Sequence, residues 1–260
     1  MKLRQKGPPL TEVRDAMDRM AALVAQSKSA ELRREFDTLK LFIDTFGFNF
    51  IKKLDAGERP DFLRSLATNA KTIIDVGVWE GTPQLYKAFP DLPFVLIDPA
   101  RGIEENLLRR PKNFKFVQKA IGDKKGKLTL NVNRGKTSLL NYKGVFGFNA
   151  LERYDVEVDR LDTILEEVGA EGPFGIKMDI QGFELKAIRG MTRIWPQVDF
   201  LICEVNVRNT ADSYQFSELV AELLKHDFAF FNILNNFKPT ARFYDVAFLP
   251  RNSEKFNSRE

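Results

Sequence analysis

Two periodicities divide the chain. From Thr11 to about Ser27 apolar side chains recur at Val13, Met17, Met20, Leu23 and Val24, the spacing of one helical face, with Thr11 placed to cap it after Pro8 and Pro9. Leu32, Phe36, Leu39, Phe42, Ile43 and Phe46 repeat that period, and the aromatic run continues to Phe50 and Ile51 before "DAGERP" breaks it. A third short helix is predicted in "DFLRSLATN". From Thr72 onward the pattern changes to short apolar runs, "TIIDV", "FVLID", "FKFVQ", "FGIKM" and "FLICE", separated by helical segments. Runs apolar on both faces are strands covered on both sides, and their alternation with helices predicts an α/β fold with a doubly wound, mostly parallel sheet. Near the end "FAFFNIL" and "RFYDVAFLP" follow one another without a helix, which predicts a C-terminal antiparallel pair. The expected organisation is an N-terminal helical extension over 1–69, an α/β domain over 70–250 and a polar tail over 251–260. The wide apolar stripe on the extension calls for a partner, either the α/β domain or a second copy in a homodimer.

Composition narrows the classes. The 40 basic and 36 acidic side chains of the 260-residue chain leave a net charge of +4, too even a balance to favour nucleic acid. Apolar stretches are broken by charge well short of the ~20 residues a membrane span needs, and "MKLRQKGPPL" leads into no apolar segment, so neither insertion nor export is expected. Cys203 and His226 are the single members of their types; an internal disulfide and a zinc site of Cys and His ligands are both excluded, and a cytoplasmic setting is expected. His226, in "LLKHDF", is expected to cap the last turn of a helix.

In an open α/β sheet ligands bind beyond the carboxyl ends of the strands, and those positions here carry acids and glycines. The first strand runs into Asp75, Gly77, Glu80 and Gly81, where glycines let the backbone turn and the start of the next helix offers free amides to an anion. Valine, tryptophan and glutamate between Gly77 and Gly81 make it a poor pyrophosphate site, because a dinucleotide turn carries a middle glycine there. Asp98 ends the second strand, 23 residues after Asp75, where a carboxylate can accept both ribose hydroxyls. A nucleoside without pyrophosphate follows, and S-adenosylmethionine meets that description: its carboxylate at the turn, its ammonium by Asp75 or Glu80, its ribose at Asp98. Ile121 lies on a small apolar ledge, and Asp123 either accepts from an adenine amine or, with Gly126, closes a hairpin. "GIKMDIQGFELKAIRGM" then crowds Lys177, Asp179, Gln181 and Glu184 at the fourth strand end, and Glu204 closes the fifth.

These motifs resemble the FkbM family of S-adenosylmethionine-dependent methyltransferases over roughly residues 72 to 250. "IKMDIQGFELKAIRGM" is similar to the family block K-x-D-x-E-G-x-E-x-x-x-L-x-G, with "VDRLDTIL" and "AIGDKKGKLTL" resembling its leucine-aspartate segment and alanine-to-aspartate turn. The resemblance implies a seven-stranded Rossmann-like methyltransferase sheet, with cofactor contacts from Asp75, Gly77, Gly81, Asp98 and Asp123 and with Asp179 nearest the reacting centre. It also implies methyl transfer to oxygen on a sugar, polysaccharide or other small hydroxylated metabolite. Asp179 is the first choice to accept the hydroxyl proton, Glu204 the second, and Lys177 or Glu184 orients the carboxylate. The chain departs from the family at Trp79, Asp98 and Gln181, the last being glutamate in the family block. Trp79 is expected to pack on the neighbouring helix, with a position over a sulfonium as the other arrangement. Asp162 is expected to cap the helix that follows it. No metal is assigned. Two other readings use the same sheet: a nicotinamide-dependent oxidoreductase, disfavoured by the missing loop glycine, and a non-catalytic methyltransferase-like binding protein.

Overall fold

The computed structural model describes residues 56–132, 137–140, 151–207, 214–235 and 242–257, together with Val24, Ser29, Ala30 and Arg33. The chain divides into two compact units, Met1–Leu54 and Asp55–Glu260. In the first, Val24, Ala30 and Arg33 are helical; the remaining residues of the two expected helices, and any dimer face on them, lie outside the described residues.

In chain order the second unit contains strands β1 (Thr72–Val76), β2 (Phe94–Ile97), β3 (Phe114–Val117), β4 (Ala120–Ile121), β5 (Gly126–Val132) and β6 (Glu152–Asp159). β7 (Phe174–Met178), β8 (Val198–Asn206), β9 (Phe228–Ile233) and β10 (Phe243–Pro250) follow. The helices between them are α1 (Pro60–Leu66), α2 (Pro83–Ala88), α3 (Ile103–Asn106), α4 (Leu161–Glu167), α5 (Glu184–Gly190) and α6 (Phe216–Leu224).

Seven strands pair in the order β3-β2-β1-β7-β8-β10-β9. All are parallel except β10, which runs antiparallel between β8 and β9. Alternate residues of the fully buried strands feed two cores. Ile74, Val76, Ile176 and Met178 face Ile164 of α4, Ile188 of α5 and Leu219 of α6. Ile73, Leu96 and Phe200 face Leu63 and Leu66 of α1 and Leu85 of α2. A strand buried on both sides has no polar face to alternate, which is why "TIIDV" reads as a continuous apolar run. The exception is Asp75, which lies on the α2 side and accepts a hydrogen bond from Tyr86 Oη at 2.8 Å. Strand order reverses between β1 and β7, and connections leave that point toward opposite faces, opening a crevice at the carboxyl ends.

A second sheet, β4-β6-β5, stands beside the crevice. The reading of Asp123 to Gly126 as the close of a hairpin is corrected: β6 lies between β4 and β5, parallel to one and antiparallel to the other. Its segment "ERYDVEVD" buries Val156 and Val158 on a small third core with Ala100 and Leu130. Asp162 is also corrected. The residue before α4 is Arg160, with no side-chain cap. Asp162 Oδ2 instead accepts from Thr192 Oγ1 at 2.9 Å and from the amides of Thr192 and Arg193 at 3.2 Å each, tying α4 to the loop after α5. Arg160, just before the helix, donates to both oxygens as well, so this buried carboxylate is satisfied from its own helix start and from across the domain. In the polar tail, Glu254–Phe256 form a short 3-10 turn, with Phe256 edge-on to Phe231. Among the described residues no helix is long and apolar enough to cross a membrane.

Candidate active site

The turn after β1 is shaped by the chain's own backbone. Gly77 has φ +78°, and a Cβ there would stand 1.8 Å from the carbonyl oxygen of Asp179; at Gly81, with φ +98°, it would stand 2.4 Å from that of Arg109. Both glycines are therefore required by close chain-on-chain approach before any ligand enters. Trp79 between them adopts φ 45°, and its amide donates to Asp98 Oδ2 at 3.1 Å. The expected packing of its indole on the neighbouring helix is not found: the side chain is 52% exposed and lines the crevice.

Asp98, buried at the end of β2, accepts from the amides of Trp79 and, at 2.9 Å, Ala100. Burial pushes its carboxyl above the ordinary aspartate range. A carboxylate has about four lone-pair positions, so these amides orient Asp98 without exhausting it. It lines a cavity whose apolar walls are Ile103, Ala120, Ile121, Leu130 and Leu139, together with Gly77, Asp179 and Gln181. A second cleft, lined by Thr82, Lys177, Asn235 and Asp245 with Val78 and Leu234, meets the first at Gly77 and Asp179.

Between the clefts lies a group of acids around one lysine. Lys177 Nζ is 3.6 Å from both Asp75 Oδ1 and Asp179 Oδ2. The first contact follows from register, since Asp75 and Lys177 are partners across β1 and β7. Burial works against the lysine charge, yet Asp179, Asp75, Asp245 and Glu204 outweigh it and hold its pKa above the ordinary value. On the other side of Asp179, Gln181 Nε2 donates to Asp179 Oδ1 at 2.9 Å and to Glu204 Oε2 at 2.8 Å. Glu184 Oε1 accepts the amides of Ile180 and Gly182, both at 3.0 Å, bracing the turn that carries Gln181.

Burial, then the neighbouring charges of Asp179, Glu184 and Asp245, pushes the Glu204 carboxyl up to about 10; burial pushes Glu184 up to about 7. Glu204 therefore holds its proton to higher pH than an ordinary glutamate. Linkage gives the sign of the stability effect: above the unfolded value of 4.5 the native state holds a proton that the unfolded chain has released, so stability falls as pH rises from there toward about 10. Glu204→Gln, a neutral isostere, is expected to flatten that slope. In urea titrations the variant should be no more stable than the parent near pH 4.5 and progressively more stable through pH 9; parallel curves would show that Glu204 is ionised.

Of the residues singled out from sequence, Asp75, Gly77, Lys177, Asp179 and Glu204 come together in this centre, and Asp98 and Ile121 line the adjoining cavity. Gly81 borders the second cleft. Glu80 and Asp123 are exposed and line neither. Asp245, Asn235 and Tyr86 belong to the site but were not read from sequence. Asp245 is the register partner of Glu204 across β8 and β10, and Asn235 Nδ2 donates to it at 2.9 Å. The residue type at the start of a C-terminal strand was the only signal available. His226 caps no helix with its ring: it stacks on Trp195, centroids 4.5 Å apart, and borders a separate groove with Pro173 and Pro250.

The sheet order and the clefts at its carboxyl edge define an α/β domain of the doubly wound, Rossmann-like type. Residues 83–230, more than half of the chain, match the methyltransferase FkbM domain. The chain belongs to the FkbM methyltransferase family, and its activity is S-adenosylmethionine-dependent methyl transfer. No curated protein matches it. Among solved structures it is similar to a TehB-like SAM-dependent methyltransferase from Corynebacterium glutamicum, at 10% identity over 81% of this chain and 99% of that one, TM-score 0.42. It is also similar to magnesium protoporphyrin IX methyltransferase from Synechocystis, at 9% identity over 95% and 99%, TM-score 0.40. A third is fibrillarin from Aeropyrum pernix, at 13% identity over 75% and 76%, TM-score 0.40.

The residues present fit S-adenosylmethionine. Apolar walls suit adenine, Asp98 suits the ribose hydroxyls, and Asp179 lines both clefts where a cationic cofactor would need an acid.

Proposed function

We propose that the protein methylates a hydroxyl of a sugar, polysaccharide or similar small metabolite. The observation that carries this reading is the junction of two unlike clefts at Gly77 and Asp179, one walled largely by apolar side chains and carrying Asp98, the other richer in hydrogen-bonding groups. Thr82, Lys177, Asn235 and Asp245 offer donors and acceptors of the kind a polyhydroxylated acceptor needs.

When bound, the cofactor supplies an already activated methyl group, so the protein needs no covalent nucleophile. What the chain contributes is position and a proton acceptor. Asp179, on the rim of both clefts, takes the proton of the acceptor hydroxyl. Lys177 stabilises the carboxylate from one side, and the Gln181 amide fixes it from the other. Glu204, holding its own proton, is unsuited to be that base and serves to support the pair.

Calorimetry tests the cofactor half of this reading. Asp98→Ala is expected to weaken S-adenosylmethionine binding about 10- to 100-fold, the range for hydrogen bonds to a charged group. Unchanged affinity would remove Asp98 from the ribose. Transfer of a labelled methyl group to a panel of sugars tests the acceptor half; labelling of amines alone would overturn the hydroxyl assignment.

A further inference from the structure

Gln181 sits in a conformation its sequence neighbours would not choose. Its φ is +52°, in the left-handed region that a side-chain-bearing residue rarely adopts. The structure holds it there from both sides: Glu184 accepts the amides of Ile180 and Gly182, and Ser138 Oγ donates to the Gln181 carbonyl at 2.9 Å. The result is a side chain turned back between Asp179 and Glu204, its single NH2 group 2.9 Å and 2.8 Å from their oxygens. An amide NH2 has two hydrogens and so can serve one to each acid. Strain is kept where geometry matters, and here the geometry it secures is the alignment of two carboxyl groups.

We propose that the Gln181 amide occupies, between Asp179 and Glu204, the place a divalent cation would otherwise take, and that it positions Asp179 for methyl transfer without a metal. The proposal rests on the methyl-transfer reading for its purpose, but its geometry concerns the apoprotein. Oxygen-ligand metal sites gather several carboxylates on one point, and affinity rises with their number and charge. Here the point is filled by a donor covalently attached to the chain. Gln181 is accordingly a positioning residue: it acts through Asp179.

The exchange that tests this is Gln181→Glu. It replaces the donor by a further acid beside Asp179 and the proton-holding Glu204, an arrangement that like-charge repulsion makes unfavourable unless a proton is kept or a cation enters. Manganese(II) titrations followed by electron paramagnetic resonance, on the full chain without cofactor, give the readout. The parent protein is expected to leave the free-ion signal intact, with Asp179→Asn making no difference. Gln181→Glu is expected to take up one manganese ion at least about tenfold more tightly than the parent, following the gain in ligand charge. Either of two results overturns the proposal: a parent protein that binds one ion and loses it in Asp179→Asn, or a folded Gln181→Glu that binds no better than the parent. If Gln181→Glu does not fold, the parent and Asp179→Asn titrations still decide. Failure of the methyltransferase reading is seen separately, as absent S-adenosylmethionine binding in calorimetry, and leaves the manganese titrations unaltered.

Discussion

Asp179→Asn is expected to slow methyl transfer by about 10²- to 10⁴-fold, the usual contribution of a positioned general base, while S-adenosylmethionine affinity changes only a few-fold. The substitution preserves shape and removes one property, the capacity to take a proton. Asp179 is held by its amide to Val76 O at 3.0 Å, by Lys177 on Oδ2 and by Gln181 on Oδ1. With both oxygens already oriented, the side chain needs no rearrangement to meet an acceptor arriving from the second cleft. Single-turnover transfer of a labelled methyl group separates chemistry from binding. A rate within threefold of the parent would place the proton elsewhere and leave Asp179 as a wall of the site. Glu204 is a poor substitute, because burial and its acidic neighbours keep it protonated.

The second large effect is on folding. Lys177→Met should destabilise the protein by about 3–5 kcal/mol, the cost of stripping a buried charge cluster of one partner. Four acids, Asp75, Asp179, Glu204 and Asp245, raise the lysine pKa, and Asp75 is fully buried with no exposed surface of its own. Methionine fills the volume of the lysine stem but cannot compensate Asp75. Two consequences follow. The loss should shrink as pH falls, because the Asp75 carboxyl, raised by burial, regains its proton and no longer needs a counter-charge. It should also shrink when Asp75→Asn is added, a coupling that a double-mutant cycle measures directly. Urea titrations at pH 5 and pH 8 provide both numbers. Equal transition midpoints for Lys177→Met and the parent at pH 8 would mean that the acids are already neutral there.

A device visible in both cases is the use of parallel strands to deliver charge to one edge. β1, β2, β7 and β8 each end at the crevice, and each ends in or near an acid: Asp75, Asp98, Asp179 and Glu204. Such residues can be found by reading forward from each apolar run, because the rule needs only local periodicity and the fact that parallel strands share a direction. Exposure of Glu80 and Asp123 marks the rule's limit, since a loop residue next to a strand end can point to either side of the crevice.

Local pattern by itself determined the two periodicities, the doubly wound sheet with its antiparallel C-terminal strand, and the acids at the strand ends, because each depends on side chains a few residues apart. Only tertiary structure decided that Asp245 stands beside Glu204, that β6 inserts between β4 and β5, that Trp79 lies open on the crevice and that Gln181 clamps two acids. Those relations depend on register and packing between segments tens of residues apart, where many pairings suit the same apolar pattern and the folded core selects one.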